Sequence, residues 1–167
     1  MYATIKDFVD HWAGTADGTR RILGALTQES LDEAVGEGHR NLKRMAWHIV
    51  TTIPEMAERT GLKLDGPKAD APIPETIEEI RAGYDTLAKS LGAQIEADWS
   101  DADLDKEDDM YGEMWARRKS LAIILEHEIH HRGQMTVLMR QAGLKVPGVF
   151  GPSKEEWANY NAPAPEI

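Results

Sequence analysis

A chain of 167 residues suits one domain, residues 1–167, long enough to bury a core without a disulfide or a metal to hold it together. Apolar residues make up 41% and charged residues 29%, which excludes a disordered chain; the lack of cysteine excludes disulfide scaffolds, thiolate metal sites and a sulfur nucleophile of the protein's own. A formal charge of −10 excludes a general phosphate-binding surface, so nucleic acid is not an expected partner, and the short basic runs Arg40 to Arg44 and Arg117 to Lys119 read as solvated helix ends.

Met1 to Asp10 has no basic flank followed by an apolar core, so no signal peptide is expected. The first helix is predicted over Thr4 to Leu26, with Ile5, Phe8, Trp12, Ala16, Leu23 and Leu26 largely on one face. Gly14 and Gly18 inside it point to a bend or a close helix contact. After Gly36 and Gly38, a second helix runs from His39 to Thr60 on the stripe Leu42, Met45, Ile49, Ile53 and Met56, with Pro54 as an expected kink. Gly61 to Pro74 reads as a long loop. Thr76 and Glu79 form a capping-box pattern that opens the third helix, whose stripe is Ile77, Ile80, Tyr84, Leu87, Leu91 and Ile95. Asp98 to Asp109 is expected to be a solvated acidic connector, and no strand is evident. The fourth helix runs from Arg117 to Ala142, stopped by Gly143. Its run Ala122 to Leu125 meets Glu126 at once and, like the rest of the chain, is too short to span a membrane, so a cytoplasmic location with no membrane partner is expected. Trp157 and Tyr160 suggest that the tail folds back. Four helices that cannot bury their stripes alone make an all-α bundle.

The fourth helix carries His127-Glu128-Ile129-His130-His131-Arg132-Gly133-Gln134. Residues four apart stand one above the other, so His127 and His131 share a face within the stripe of Ile124, Met135 and Leu138, while His130 points away. Imidazoles in an apolar seam need partners for their ring nitrogens, and a metal satisfies two at once. His48, beside Met45 and Ile49, is the other histidine placed mid-helix; His39 sits at a helix start and His11 on the outer side of the first helix. Three neutral imidazoles with an open coordination position describe a reactive site, because structural zinc sites are closed by four protein ligands.

The run His127 to Gln134, the upstream Trp47-His48, and Gly143-Leu144-Lys145-Val146-Pro147-Gly148-Val149-Phe150-Gly151-Pro152 resemble the DinB superfamily, in helix order along essentially the whole chain. That resemblance implies a four-helix bundle with a long connection between helices two and three, usually a homodimer. It implies a divalent metal on His48, His127 and His131. Several members of the superfamily are metal-dependent thiol-S-transferases or isomerases that use a low-molecular-weight thiol, and many have no assigned activity. Such chemistry would let an open metal position lower the pKa of an external thiol, whose sulfur attacks a small electrophile.

Two other functions compete. His127-Glu128-x-x-His131 is also the zinc-protease motif, with Glu128 as base, but Gln134 and Val137 depart from its extended form; a solvated or interhelical pair of Glu128 with Arg132 is the plainer account. Alternatively the metal staples two helices in a non-enzymatic stress-response or metal-sequestering protein. Gly133 is expected at a close helix contact. Gln134 is expected to bond across the bundle or at a dimer seam, ahead of a role in orienting a ligand imidazole. Trp12, Trp47, Trp115 and Trp157 read as core or interface ahead of the lining of a pocket, with Trp47 a candidate for contact between subunits. Zinc or nickel suits three imidazoles, affinity alone favours copper, and no catalytic acid or base is assigned.

Overall fold

The computed structural model describes residues 1–166. Its four α-helices are α1 (Ile5–Gly24), α2 (Leu42–Ala57), α3 (Ile77–Asp98) and α4 (Arg117–Gln141). Each helix starts where a side chain or the chain path relieves its unpaired amides. Thr4 with Asp7 and Thr76 with Glu79 both close capping boxes, and Asn41 accepts from the Arg44 amide. Helix α2 therefore begins at Leu42, the first residue of its stripe and three residues later than the expected His39, which lies in the turn before it. Pro54 sits inside α2 within its last turn, where its missing amide costs one hydrogen bond and the helix ends three residues on. Gly143 takes φ +74° past the end of α4; its amide donates to the Arg140 carbonyl and that of Leu144 to the Met139 carbonyl. This double closure is the Schellman pattern that a left-handed residue permits.

The helices form a bundle in which α1 packs on α3, α2 on both α3 and α4, and α4 on α1. One apolar cluster runs through it, with Phe8, Ile22, Leu42, Ile49, Ile80, Leu87, Leu91, Met135 and Met139 fully buried. The long connection between α2 and α3 is a structural wall rather than a loose loop. Trp47 is 4% exposed, its indole Nε1 donates to the Ala71 carbonyl at 3.0 Å, and its ring packs beside Gly83. The subunit contact anticipated for Trp47 is thus replaced by an intramolecular one. Trp12 is buried against α3 through a bond to the Ala88 carbonyl.

The acidic segment after α3 departs from the expected solvated connector. It forms a short 3₁₀ turn (Asp101–Asp105) and then a hairpin, β1 (Glu107–Met110) paired antiparallel with β2 (Glu113–Ala116). Leu104 and Met110 are fully buried, which anchors the hairpin despite its acidic surface. Its two-residue turn places Tyr111 at φ 62° and Gly112 at φ 86°, as a type I′ turn demands. The turn departs from the usual Asn-Gly pair, which hid it in the sequence; the Tyr111 hydroxyl donates to Glu55 on α2, and its ring lies under Arg59.

The tail does fold back, but not on its aromatics, for Tyr160 is 67% exposed. It is held by Arg21 donating to the Gly148 carbonyl, by Glu156 accepting from the Gly148 and Ser153 amides, and by the Arg140–Glu155 ion pair. Among the described residues no helix is long and apolar enough to cross a membrane.

Candidate metal centre

His48 from α2 and His127 and His131 from α4 meet in the seam between those two helices. One ring nitrogen from each lies within 4.8 Å of the others. Ring centroids are 4.4 Å apart for His127 and His131, 4.6 Å for His48 and His131, and 5.1 Å for His48 and His127. The Nε2 atoms of His127 and His131 are 3.1 Å apart. Nitrogens bound to one zinc-like ion at about 2.0–2.1 Å with tetrahedral angles would be about 3.3 Å apart, so the rings stand close to gripping distance. No other histidine, aspartate or glutamate joins the cluster among the described residues.

The chemistry of the ring nitrogens fits a cation as well as the spacing does. Gln134 Oε1 lies 2.7 Å from His131 Nδ1, and Gln134 Nε2 lies 3.1 Å from His130 Nε2. An amide oxygen only accepts, so His131 carries its proton on Nδ1 and turns the bare Nε2 lone pair toward the cluster. Burial lowers the pKa of all three imidazoles, with mutual repulsion and the charge of Arg40 acting in the same direction; His48 falls to about 4. All three are therefore neutral near pH 7, with lone pairs available. Such a set can hold a divalent metal ion.

Gln134 bonds within its own helix rather than across the bundle, orienting the His131 imidazole and drawing His130 into the same chain of bonds. Its partner lies three residues away on its own helix, an i to i+3 neighbour that helical spacing could have revealed. Gly133 meets no atom within 4 Å of an added Cβ, so the close helix contact expected there is absent.

Glu128 is turned away from the histidines, toward α1 and α3. It is 2% exposed, and its Oε1 accepts from the Thr19 hydroxyl and the Tyr84 hydroxyl, each at 2.7 Å. Arg132, also buried, donates from Nη1 to the Thr15 carbonyl and the Thr19 hydroxyl. The Thr19 hydroxyl joins the two charged groups, so of the solvated or interhelical arrangement expected for them it is the interhelical one that forms. A zinc-protease base must reach a metal-bound water, and Glu128 is spent on a different face of α4, bonded to Thr19 and Tyr84. The structure therefore corrects the protease reading.

Beside the cluster opens a cavity of about 430 Å³ lined by Val35, His39, Arg40, Met45, His131, Gln134, Val137 and Leu138. A smaller opening of about 170 Å³ reaches His48 from the other side, past Arg44, Trp47, Thr51 and Asp70. The loop that supplies Val35, His39 and Arg40 is pinned at its base, where Ala34 bridges Asn41 and the Leu42 amide donates to the Glu33 carbonyl at 2.9 Å. Tryptophan contributes only Trp47 to these walls; Trp115 stacks under Lys119 on the hairpin, and Trp157 lies in the tail.

Comparison with known proteins agrees with this architecture. A Bacillus subtilis (strain 168) protein named Uncharacterized protein YrdA is 36% identical over 167 residues, all of both chains. The crystal structure of a DinB-like protein from Bacillus cereus ATCC 10987 superposes with a TM-score of 0.86 at 42% identity, covering 90% of this chain and all of that one. A DinB-like protein of Bacillus subtilis, YjoA, shares the fold at a TM-score of 0.65 and 22% identity, over 82% of this chain and 92% of its own. The model of the DinB family matches residues 1–166. With a family model over residues 1–166 and a full-length relative at 36% identity, the chain belongs to the DinB family.

Proposed function

We propose that the protein binds a divalent metal ion, zinc or nickel, on His48, His127 and His131 and acts as a metal-dependent thiol-S-transferase with a low-molecular-weight thiol. The observation that carries this reading is three neutral imidazoles, from two helices, converging beside a cavity with no fourth protein ligand among the described residues. Bound there, the ion supplies the Lewis acidity that makes a sulfur nucleophile available at neutral pH. The chain's own part is to keep three lone pairs unprotonated by burial and to aim that of His131 through Gln134. The cavity beside His131 gives a small molecule room to approach. The chain has no cysteine, so the sulfur comes from outside. In the transfer the external thiol loses its proton to solvent, its sulfur lone pair forms a bond to an electrophilic carbon, and the leaving group departs with its electron pair.

Metal analysis of protein purified without a histidine tag tests the site. One ion per chain is expected in the wild type, with affinity lower by about 100-fold or more in His48→Ala, since three donors become two. Full occupancy in His48→Ala would show that a different group is the third ligand. The activity is tested separately by incubating loaded protein with the common cellular thiols and a chromogenic electrophile. A rate no faster than that of chelated protein with every thiol would sink the transferase reading.

A further inference from the structure

The ten arginines of the chain divide sharply by what they touch. Arg20, Arg21, Arg59, Arg81, Arg117, Arg118 and Arg140 pair with carboxylates, and Arg132 is held by Thr15 and Thr19. Of the arginines among the described residues, only Arg40 and Arg44 make no side-chain ion pair and no side-chain hydrogen bond. Both lie beside the histidine cluster, Arg40 in the wall of the cavity that reaches His131 and Arg44 in the opening that reaches His48. In a chain with 29 acidic residues, partners for these cations are not scarce. A guanidinium left free next to a site for a metal cation also opposes metal binding; the charge of Arg40 acts on all three imidazoles. That cost is offset if the molecule that enters brings an anion with it.

We propose that the cavity beside His131 binds a small thiol bearing a carboxylate, with the carboxylate on Arg40 and the carbon chain against Val35, Met45, Val137 and Leu138. This rests on the thiol-dependent reading above and narrows it to a class of molecule. The guanidinium fork matches the two oxygens of a carboxylate. One arginine in the wall, with the His39 ring beside it, suits a single negative charge better than a phosphate dianion, which is usually held by several donors. Four apolar side chains in the same wall, Met45 and Leu138 buried and Val35 and Val137 exposed at the mouth, give the ligand's carbon atoms a surface to cover, and about 430 Å³ holds a small molecule. The bridge between Ala34 and Asn41 pins the base of the loop that brings Arg40 to the mouth of the cavity.

The test uses protein loaded with cobalt(II), in which entry of a thiol is read from the sulfur-to-cobalt absorption band. The probes are 3-mercaptopropionate and 2-mercaptoethanol, which differ in the charged end. In Arg40→Ala the Kd for 3-mercaptopropionate is expected to rise about tenfold at low salt, the usual range for a hydrogen bond to a charged group, while that for 2-mercaptoethanol changes less than twofold. Arg40→Lys should recover part of the loss, and added salt should shrink it, because the contact is open to water. Arg44→Ala removes the same charge from the other opening and is expected to change either Kd less than twofold. Equal losses in Arg40→Ala and Arg44→Ala would reveal a diffuse field in place of a site, and no loss in Arg40→Ala would overturn the assignment outright. In both cases the thiol-dependent reading stands, since 2-mercaptoethanol still binds. Cobalt that fails to bind, or binds and shows no band with either thiol, overturns that reading and this inference together.

Discussion

Gln134 and Glu128 sit on the same helix as His127 and His131, and their polar ends have opposite uses. Gln134 is exposed yet directs a lone pair, so its replacement should act on metal and not on folding. In Gln134→Leu, metal affinity is expected to fall about 10- to 100-fold with the melting temperature of the metal-free protein nearly unchanged, as measured by competition with a chelating dye and by thermal unfolding. An unchanged affinity would mean that packing alone orients His131. Glu128 is the reverse case. Burial raises its carboxyl above the usual range, while the hydroxyls of Thr19 and Tyr84 and the charge of Arg132 pull it back. Glu128→Leu would leave Arg132 as a buried cation with no countercharge and two hydroxyls without their acceptor. A loss of about 3 kcal/mol is expected from urea unfolding. A loss below about 1 kcal/mol would show that Arg132 finds water once Glu128 is gone.

Among the elements, α1 owes its seat to a missing side chain. A Cβ at Gly18 would lie 2.5 Å from Val149 Cγ1 and 2.9 Å from Arg132 Nη1, so glycine there admits both the returning tail and the buried guanidinium. Alanine is the better helix former by about 1 kcal/mol, but overpacking in such a contact costs about 1–3 kcal/mol. Gly18→Ala should therefore destabilise by about 1 kcal/mol and loosen the tail, seen as faster amide exchange at Gly148 and Ser153, whose amides Glu156 holds. Stabilisation by the substitution would mean that Val149 gives way freely. Gly14, one turn earlier, has nothing within 4 Å of an added Cβ and makes no comparable demand. The close contact expected of α1 thus falls at one glycine of the two.

At the level of the whole molecule, the question is whether metal builds the bundle or is received by it. Helices α2 and α4 pack directly on each other, and the buried cluster that spans all four helices includes residues on both sides of the histidine seam. Such a core suffices for a domain of this length without a metal staple. Chelation is therefore expected to lower the melting temperature while leaving the helical circular dichroism at 25 °C intact. Collapse of the helical signal on chelation would instead favour the non-enzymatic stapling role, in which the binding free energy of the metal is folding free energy.

The sequence by itself determined the four helices, the caps at Thr76 and Gly143, and the pairing of His127 with His131, because each depends on residues within a few positions of one another. It also placed His48 on the edge of an apolar stripe, although the meeting of that stripe with α4 required the bundle to form. Only the tertiary structure decided where Glu128 and Arg132 point. An amphipathic pattern tells inside from outside but not which neighbour a second inward face meets, and α4 has two such faces, one holding histidines against α2 and one holding charges against α1 and α3. The hairpin stayed hidden for a related reason: its stability comes from Leu104 and Met110 reaching the core and from Tyr111 contacting Glu55 and Arg59, contacts that local spacing does not encode.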